Sequence, residues 1–369
     1  MKYYLSQIFL FPLALLYGLA VGIRNWLFDV GILKSRKFKL PIIVVGNITV
    51  GGTGKTPHTE YLLSLLSPFM QVAMLSRGYK RYSKGLVFAD ENSNSIDIGD
   101  EPYQIKRKFP EVIVVVDANR CRAIDSLINS PNGEQLGAII LDDAFQYRYV
   151  EPGINILLTD YNNLITDDSL LPMGRLREPA SNRKRAHIVI VTKCPDTAKP
   201  IDFRLITKKL ALLPYQNLYF TRYEYGKLQA VFEEANDKYI SLDKLTDKSY
   251  DILLLTGIVS SQALAAYVGN YTYNLQSIEY PDHHDFSEQD LIDIEIKFLS
   301  INNSNKIIVT TEKDAARLLS KPNISQALKE SIFYIPVQVS FLFDKEKEFN
   351  EQILGYVRKN KTNRELFKS

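Results

Sequence analysis

The chain is poor in several features that would place it at once. It has two cysteines, Cys121 and Cys194, far apart and without metal-ligand spacing. Two such residues cannot build a disulfide framework, so reduced thiols on the cytosolic side are expected. The sequence has no internal repeat and no low-complexity tract, which excludes solenoids and biased linkers. Its net charge of +3 is too near balance to indicate a nucleic-acid partner. What remains is 369 residues with 46% hydrophobic content, enough for one large domain or two.

Long apolar runs are also scarce, with one exception. Ile8 to Ile23, IFLFPLALLYGLAVGI, carries no charge. Sixteen helical residues reach roughly 24 Å, against about 30 Å of bilayer hydrocarbon. Pro12, Gly18 and Gly22 weaken a plain helix in water. The run is apolar on every side rather than striped. Lys2 before it suits a signal peptide, and a buried core helix is a further reading. Arg24, Lys34, Arg36, Lys37 and Lys39 follow it, opposed only by Asp29. That basic flank argues for a cytoplasmic main body and for contact with anionic headgroups. Membrane attachment, by insertion or by a short span, is the expectation for residues 1–40.

Beyond residue 40, short apolar runs end repeatedly in polar residues. They are PIIVVG (41–46), VAML (72–75), VIVVVD (112–117), AIILDD (138–143), INILLTD (154–160) and HIVIVTK (187–193). Helical patterns such as TPHTEYLLSLL and GDEPYQIKRKF fill the gaps. Alternating strands and helices predict an α/β fold, a parallel sheet covered on both faces, with ligands at the carboxyl edge. After about residue 210 the texture becomes Tyr-rich and extended. A second set follows, YDILLLTGI, KIIVTTEKDAARLL and IFYIPVQV. The expected division is a core over 41–215, a linking ribbon over 216–250 and a smaller α/β domain over 251–369. The tail RKNKTNRELFKS reads as frayed.

The stretch GNITVGGTGKTP carries the chemistry. PIIVV supplies a strand, and Gly51, Gly52 and Gly54 let backbone N–H groups turn inward around a phosphate. Thr49, Val50 and Thr53 complete the loop. Lys55 is placed for the β- and γ-phosphates and Thr56 for Mg²⁺, at a helix N-terminus that favours the anion. The pattern G-x-x-x-x-G-K-[ST] asks for glycine at position 49, where this chain has Thr49. An apolar strand ending in Asp142 and Asp143 supplies the acidic half of such a site. On extended chain these two carboxylates face opposite ways, so they take different roles unless the chain turns.

Phosphate loops serve switches, motors and kinases. Asp142-Asp143-Ala144-Phe145 lacks the glycine of a GTPase D-x-x-G, and Thr192-Lys193-Cys194-Pro195 has proline where guanine recognition needs aspartate. A partitioning ATPase carries a lysine where this chain has Val50. A kinase needs a base and cationic groups, and several polar clusters supply them: LSRGYKR, IGDEPY, LPMGRLREP, PDHHDF and VTTEKDAARL.

In this order, and together with the apolar N-terminus, the motifs TVGGTGKTP, SRGY, GDEP, the Asp-Asp strand end, PxGxLREP, the Asp-His pair and TEKDA resemble the tetraacyldisaccharide 4′-kinase family of lipid A biosynthesis. The resemblance spans nearly the whole chain. It implies a P-loop fold and transfer of the ATP γ-phosphoryl to the 4′-hydroxyl of a lipid A disaccharide 1-phosphate. It further implies Mg²⁺ and the cytoplasmic face of a bacterial inner membrane, whose lipids are then partners. No protein partner is indicated. It implies that Asp100 is the base and that His283 assists it. From sequence alone, Asp100 reads first as a helix cap, and the resemblance reverses that order. The resemblance places Arg177 and Glu178 at the nucleotide and metal site, although the two also read as a structural ion pair. Arg77 is expected to face a phosphate, and Lys313 and Asp314 read as structural. Ala144, Tyr147 and Arg175 depart from the family pattern. The competing reading is a membrane-associated P-loop ATPase that positions a partner. A scaffold with a dead nucleotide site is disfavoured by Lys55, Thr56 and Asp142.

Overall fold

The computed structural model describes residues 2–131, 133–235, 239–240, 245, 249–259 and 261–360. Helix α1 (Lys2–Asp29) comes first and leads to two lobes, each built on its own sheet.

In the larger lobe the chain runs β1 (Ile42–Gly46), α2 (Lys55–Leu66), β2 (Gln71–Ser76), β3 (Val87–Phe88), α3 (Ser95–Ile98), α4 (Asp100–Lys108), β4 (Ile113–Val116) and α5 (Arg120–Ile128). It continues through β5 (Leu136–Asp142), β6 (Ile154–Asp160), β7 (Ile188–Thr192), α6 (Pro200–Leu210) and β8 (Asn217–Tyr225). The six apolar runs singled out in the core are strands β1, β2, β4, β5, β6 and β7. They are buried because each is covered on both sides. Ile43 and Val45 enter one core with Leu62, Leu63 and Ile105 of α2 and α4. Ile42 and Val44 enter the other with Ile124 and Leu127 of α5. That alternation is the two-residue period of a strand, and it explains continuous apolar runs in place of stripes.

The smaller lobe holds β9 (Leu228–Ala230), β10 (Tyr239–Ile240), β11 (Asp251–Thr256), α7 (Gln262–Gly269), β12 (Leu275–Glu279), α8 (Glu288–Leu299), β13 (Lys306–Thr311), α9 (Glu312–Leu319), α10 (Gln326–Ser331) and β14 (Ile332–Ile335). The chain then returns through β15 (Val337–Phe341) and α11 (Glu346–Lys359). The larger sheet has the order β3-β4-β2-β5-β1-β6-β7-β8-β15, parallel except at its two antiparallel edges. The smaller has the order β10-β9-β14-β13-β11-β12.

The lobes divide the chain differently from the expected boundaries. Residues 216–250 are not a free ribbon, since β8 pairs in the larger sheet and β9 in the smaller. Residues 337–359 leave the smaller lobe. Pro336 cannot donate to a ladder, and beyond it β15 pairs with β8 while Phe349, Ile353 and Val357 of α11 bury against the α2 face. Two strands therefore pass side by side between the lobes, joined where Gly226 N–H donates to the Pro336 carbonyl at 2.9 Å. Residues 361–369 of the tail lie outside the described residues.

Among the described residues one stretch, Leu10–Asp29, is long and apolar enough to cross a membrane by length and composition. Within it Phe11, Leu15, Leu19 and Trp26 are exposed, while Ala14, Asn25 and Phe28 are buried against the larger lobe. Tyr17 donates to the Arg177 carbonyl at 2.9 Å, and Arg148 donates to the Asn25 carbonyl at 2.8 Å. The helix is thus docked along one side, on the loops that follow β5 and β6.

Candidate active site

The phosphate loop sits at the carboxyl end of β1, where α/β sheets bind ligands. It is held from below. Asn47 donates to the Thr53 hydroxyl at 2.8 Å and to that of Thr49 at 3.3 Å. Thr192 donates to the Thr53 carbonyl at 2.9 Å, and Lys193 to the Gly52 carbonyl. Val50 N–H donates to the Arg175 carbonyl at 2.8 Å. The threonine found where glycine is usual is therefore buried and hydrogen-bonded beneath the loop. Gly51 and Gly54 have φ of 103° and 89°, a region unfavourable to any side chain. A Cβ on Gly54 would also fall 2.4 Å from the Tyr223 hydroxyl oxygen. Thr56 lies in the first turn of α2. His58 is buried and neutral, pushed down to about 4 by burial, and its Nδ1 lies 2.7 Å from the Gly54 carbonyl. It braces the loop.

The chain turns at Asp143, and the two aspartates still take different places. Asp142, the last residue of β5, is buried beside Val45 and accepts from the Thr59 hydroxyl at 3.1 Å. Asp143 has φ of 46° and swings to the loop. Its Oδ1 is 3.8 Å from Lys55 Nζ and its Oδ2 is 3.4 Å from Arg177. Burial, and next the charge of Asp143, push Asp142 up to about 7. The Oδ1 of Asp143 is buried without a hydrogen-bond donor. A buried Asp142 beside Asp143, and an Asp143 oxygen without a hydrogen-bond donor, fit a site for a hard cation.

Glu178 is buried, and its Oε2 accepts from Asn182 at 2.9 Å and from Arg185. Arg177 and Glu178 thus do not pair with one another. Arg77 is exposed just past β2, near the buried Arg120. Burial, and then the charge of Arg77, depress Arg120, while Tyr147, Asp143 and Asp142 favour its charged form. Two guanidiniums therefore share one end of the acidic site.

Asp100 is not a helix cap. Gly99 occupies the cap position with φ of 94°, and no side chain caps α4. The Asp100 carboxylate instead reaches the smaller lobe. His283 Nδ1 is 3.1 Å from Asp100 Oδ2, and Arg317 Nε donates to the same oxygen at 2.9 Å. Burial opposes the charge on Asp100, but the His283 hydrogen bond and the Arg317 guanidinium outweigh it and hold the carboxyl below its ordinary range. The charge of the neighbouring Glu101 reaches Asp142 and helps to raise it, so this pair lies within electrostatic range of the acidic strand end. Val259, past β11, lies over the loop, 3.8 Å from where a Cβ on Gly51 would be.

Lys313 and Arg317 were not singled out for chemistry by sequence reasoning, nor was Arg120. Lys313 Nζ is 3.0 Å from His283 Nε2 and 2.8 Å from Glu101. The available signal was two basic residues four apart on a helix that opens at a strand end, so that both face the same way. Asp314 is structural, as expected. It is fully buried and accepts from Gly257 N–H at 2.9 Å. His284 turns away to Asp290 at 2.9 Å and stacks on Tyr280.

A buried strand, a glycine loop, Lys-Thr opening a helix and an acidic neighbouring strand in a parallel sheet define a P-loop nucleotide-binding protein. The comparisons narrow this class. The model of the tetraacyldisaccharide-1-P 4′-kinase family matches residues 6–358. A tetraacyldisaccharide 4′-kinase of Phocaeicola vulgatus is 50% identical over 96% of this chain and 96% of its own. One from Bacteroides thetaiotaomicron is 49% identical over 96% of this chain and 94% of its own. A crystal structure of LpxK from Aquifex aeolicus in complex with ATP has a TM-score of 0.71 at 26% identity, covering 95% of this chain and 99% of that one. The chain belongs to the tetraacyldisaccharide-1-P 4′-kinase family.

Proposed function

We propose that this protein transfers the γ-phosphoryl group of ATP to the 4′-hydroxyl of a tetraacyl glucosamine disaccharide 1-phosphate, giving the 4′-phosphate of a lipid A precursor. The observation that carries this reading is the Asp100–His283 pair, made between lobes and beside a phosphate loop. A base assembled from two lobes can close over an acceptor hydroxyl and exclude water.

The loop from Thr49 to Thr56 holds the triphosphate by its backbone N–H groups. Lys55 neutralises the β- and γ-oxygens, and Arg77 faces the charge that builds on the transferring group. The acceptor oxygen attacks the γ-phosphorus as the bond to the β-γ bridging oxygen breaks, and ADP leaves with that electron pair. Asp100 receives the hydroxyl proton. An ionised carboxylate below its ordinary pKa suffices, because the hydroxyl becomes acidic only as its bond to phosphorus forms. His283 orients the carboxylate. Closure of the smaller lobe keeps out water, the competing acceptor.

Thr56, Asp142 and Asp143 are the residues that would hold a Mg²⁺ ion. Bound there, the ion would supply positive charge against the phosphoryl group being transferred. Glu178, fixed by Arg185, supports this edge through the loop that carries Arg177. We place the protein at the cytoplasmic face of the inner membrane. The exposed apolar side of α1 enters the lipid interface, and the docked side brings the site to the headgroups of a lipid substrate.

The test is transfer of labelled γ-phosphate from ATP to the disaccharide 1-phosphate in detergent micelles, with and without Mg²⁺. Label at the 4′ position, lost in Lys55→Ala, is expected. ATP hydrolysis without lipid label would favour the ATPase reading.

A further inference from the structure

Helix α9 brings two cations to the base. Lys313 and Arg317 lie four residues apart, one turn of helix, so their side chains leave the same face. Arg317 is itself fixed. Its Nη1 donates to Asp314 Oδ1 at 2.6 Å and to the Gly257 carbonyl at 3.0 Å, and Asp314 is fully buried. Its Nε is then aimed at Asp100 Oδ2. Its Nη2 is buried with no acceptor among the described residues.

Lys313 meets His283 from the other side. An ammonium can only donate. At 3.0 Å from Lys313 Nζ, His283 Nε2 must therefore be the acceptor and carry no proton. The ring proton then sits on Nδ1 and is donated to Asp100 Oδ2. A doubly protonated ring would set an N–H against an ammonium. The other groups around His283 complete the charge pattern. Glu101 Oε1 and Asp282 Oδ2 lie 3.8 and 3.7 Å from Nε2, and both carboxylates also engage Lys313. Lys80 Nζ lies 3.4 Å from the His283 backbone oxygen, and the ring of Tyr79 meets the imidazole edge-on.

We propose that Lys313 and Arg317 are positioning residues for the Asp100–His283 pair. Lys313 fixes His283 as the neutral Nδ1–H tautomer. Arg317 holds Asp100 as a carboxylate through Oδ2, which leaves Oδ1 for the acceptor hydroxyl. The base is then complete only when α9 is against α4, so it forms with lobe closure. This inference rests on the kinase reading and adds to it the tautomer and the residues that set it.

The test uses the full chain in detergent micelles with ¹⁵N-labelled histidine. The chain has four histidines, so the ring signals of His283 are assignable by difference. The wild type is expected to show a protonated Nδ1 and a bare Nε2 across neutral pH. Lys313→Met is expected to let the ring take up a second proton in that range. Its kcat falls by about 10²-fold at the acidic end and recovers as pH rises, with KM for ATP and lipid little changed. Lys313→Arg restores most of the rate. An imidazolium or an Nε2–H ring in the wild type would overturn the proposal. So would a Lys313→Met loss that is independent of pH and appears in KM, since that is the mark of a tie between lobes only. If Lys313→Met does not fold, the wild-type ring signals decide alone. Failure of the wild type to label lipid would sink the kinase reading, and the ring signals would still report the tautomer.

Discussion

The two halves of the candidate site are built by opposite means. The phosphate loop is local. Residues 46–56 lie in one stretch, and its shape follows from glycines, a buried strand and a helix start. Side chains brace it from beneath, but the groups that meet phosphate are backbone. The base is non-local. Asp100 and His283 are 183 residues apart, and the ring proton and the charge are set by Lys313 and Arg317. A loop of this kind exists before the substrate arrives. A base of this kind exists only while the lobes are together.

This contrast predicts distinct failures. The largest expected effect is at the loop. Lys55→Ala should reduce kcat/KM by at least about 10³-fold, with weakened ATP binding, measured by label transfer and nucleotide titration. Asp100→Asn should lower kcat by about 10²- to 10⁴-fold while ATP still binds as in the wild type. Equal losses of ATP affinity in both variants would erase the distinction between the two halves.

Asp142→Asn should separate function from stability. Without bound ligand the folded chain holds Asp142 near 7, above the 3.8 of a free aspartate. The folded state therefore binds this proton more tightly than the unfolded state. The sign follows: this residue lowers stability progressively as pH rises through that window, and the cost is full above about 7. Asp142→Asn should abolish turnover yet raise the stability of the unliganded protein at neutral pH by about 1–3 kcal/mol. Thermal melts at acid and neutral pH check it, and the gain should vanish at low pH. Gly54→Ala should act through the backbone, destabilising by about 1–3 kcal/mol, since its Cβ meets Tyr223 at a positive φ. Tyr17→Phe should have the smallest effect, about 1 kcal/mol from one hydrogen bond between α1 and the Arg177 carbonyl.

The same contrast explains what could be read in the sequence. Six of the seven parallel strands of the larger sheet were legible, because strands buried on both faces spell continuous apolar runs, whereas β8 read as a Tyr-rich ribbon. The loop was legible because its function needs contiguous glycines and Lys-Thr. Thr49 departs from the usual pattern without harm, since its hydroxyl lies under the loop rather than in it. The division between lobes was less legible. Nothing in VQVSF says that it pairs with β8 rather than with its sequence neighbours. Asp100 was visible as a candidate, but a residue at a helix start also suits capping, and it is Gly99 at the cap position and the reach of Asp100 to His283 and Arg317 that separate the two. Lys313 read as structural and Arg317 was not singled out, because their partners belong to α4 and to the segment before α8. The spacing of four puts both on one helix face, but which carboxylate and which ring they meet is written in the tertiary fold.

The central claim is that Asp100 works only as a unit with His283 from the other lobe. A double-mutant cycle on kcat for label transfer to the lipid tests it most directly, with Asp100→Asn, His283→Ala and the pair. The account predicts that the double variant is no slower than Asp100→Asn alone. Losses that multiply, each residue costing its full factor in the absence of the other, would contradict it.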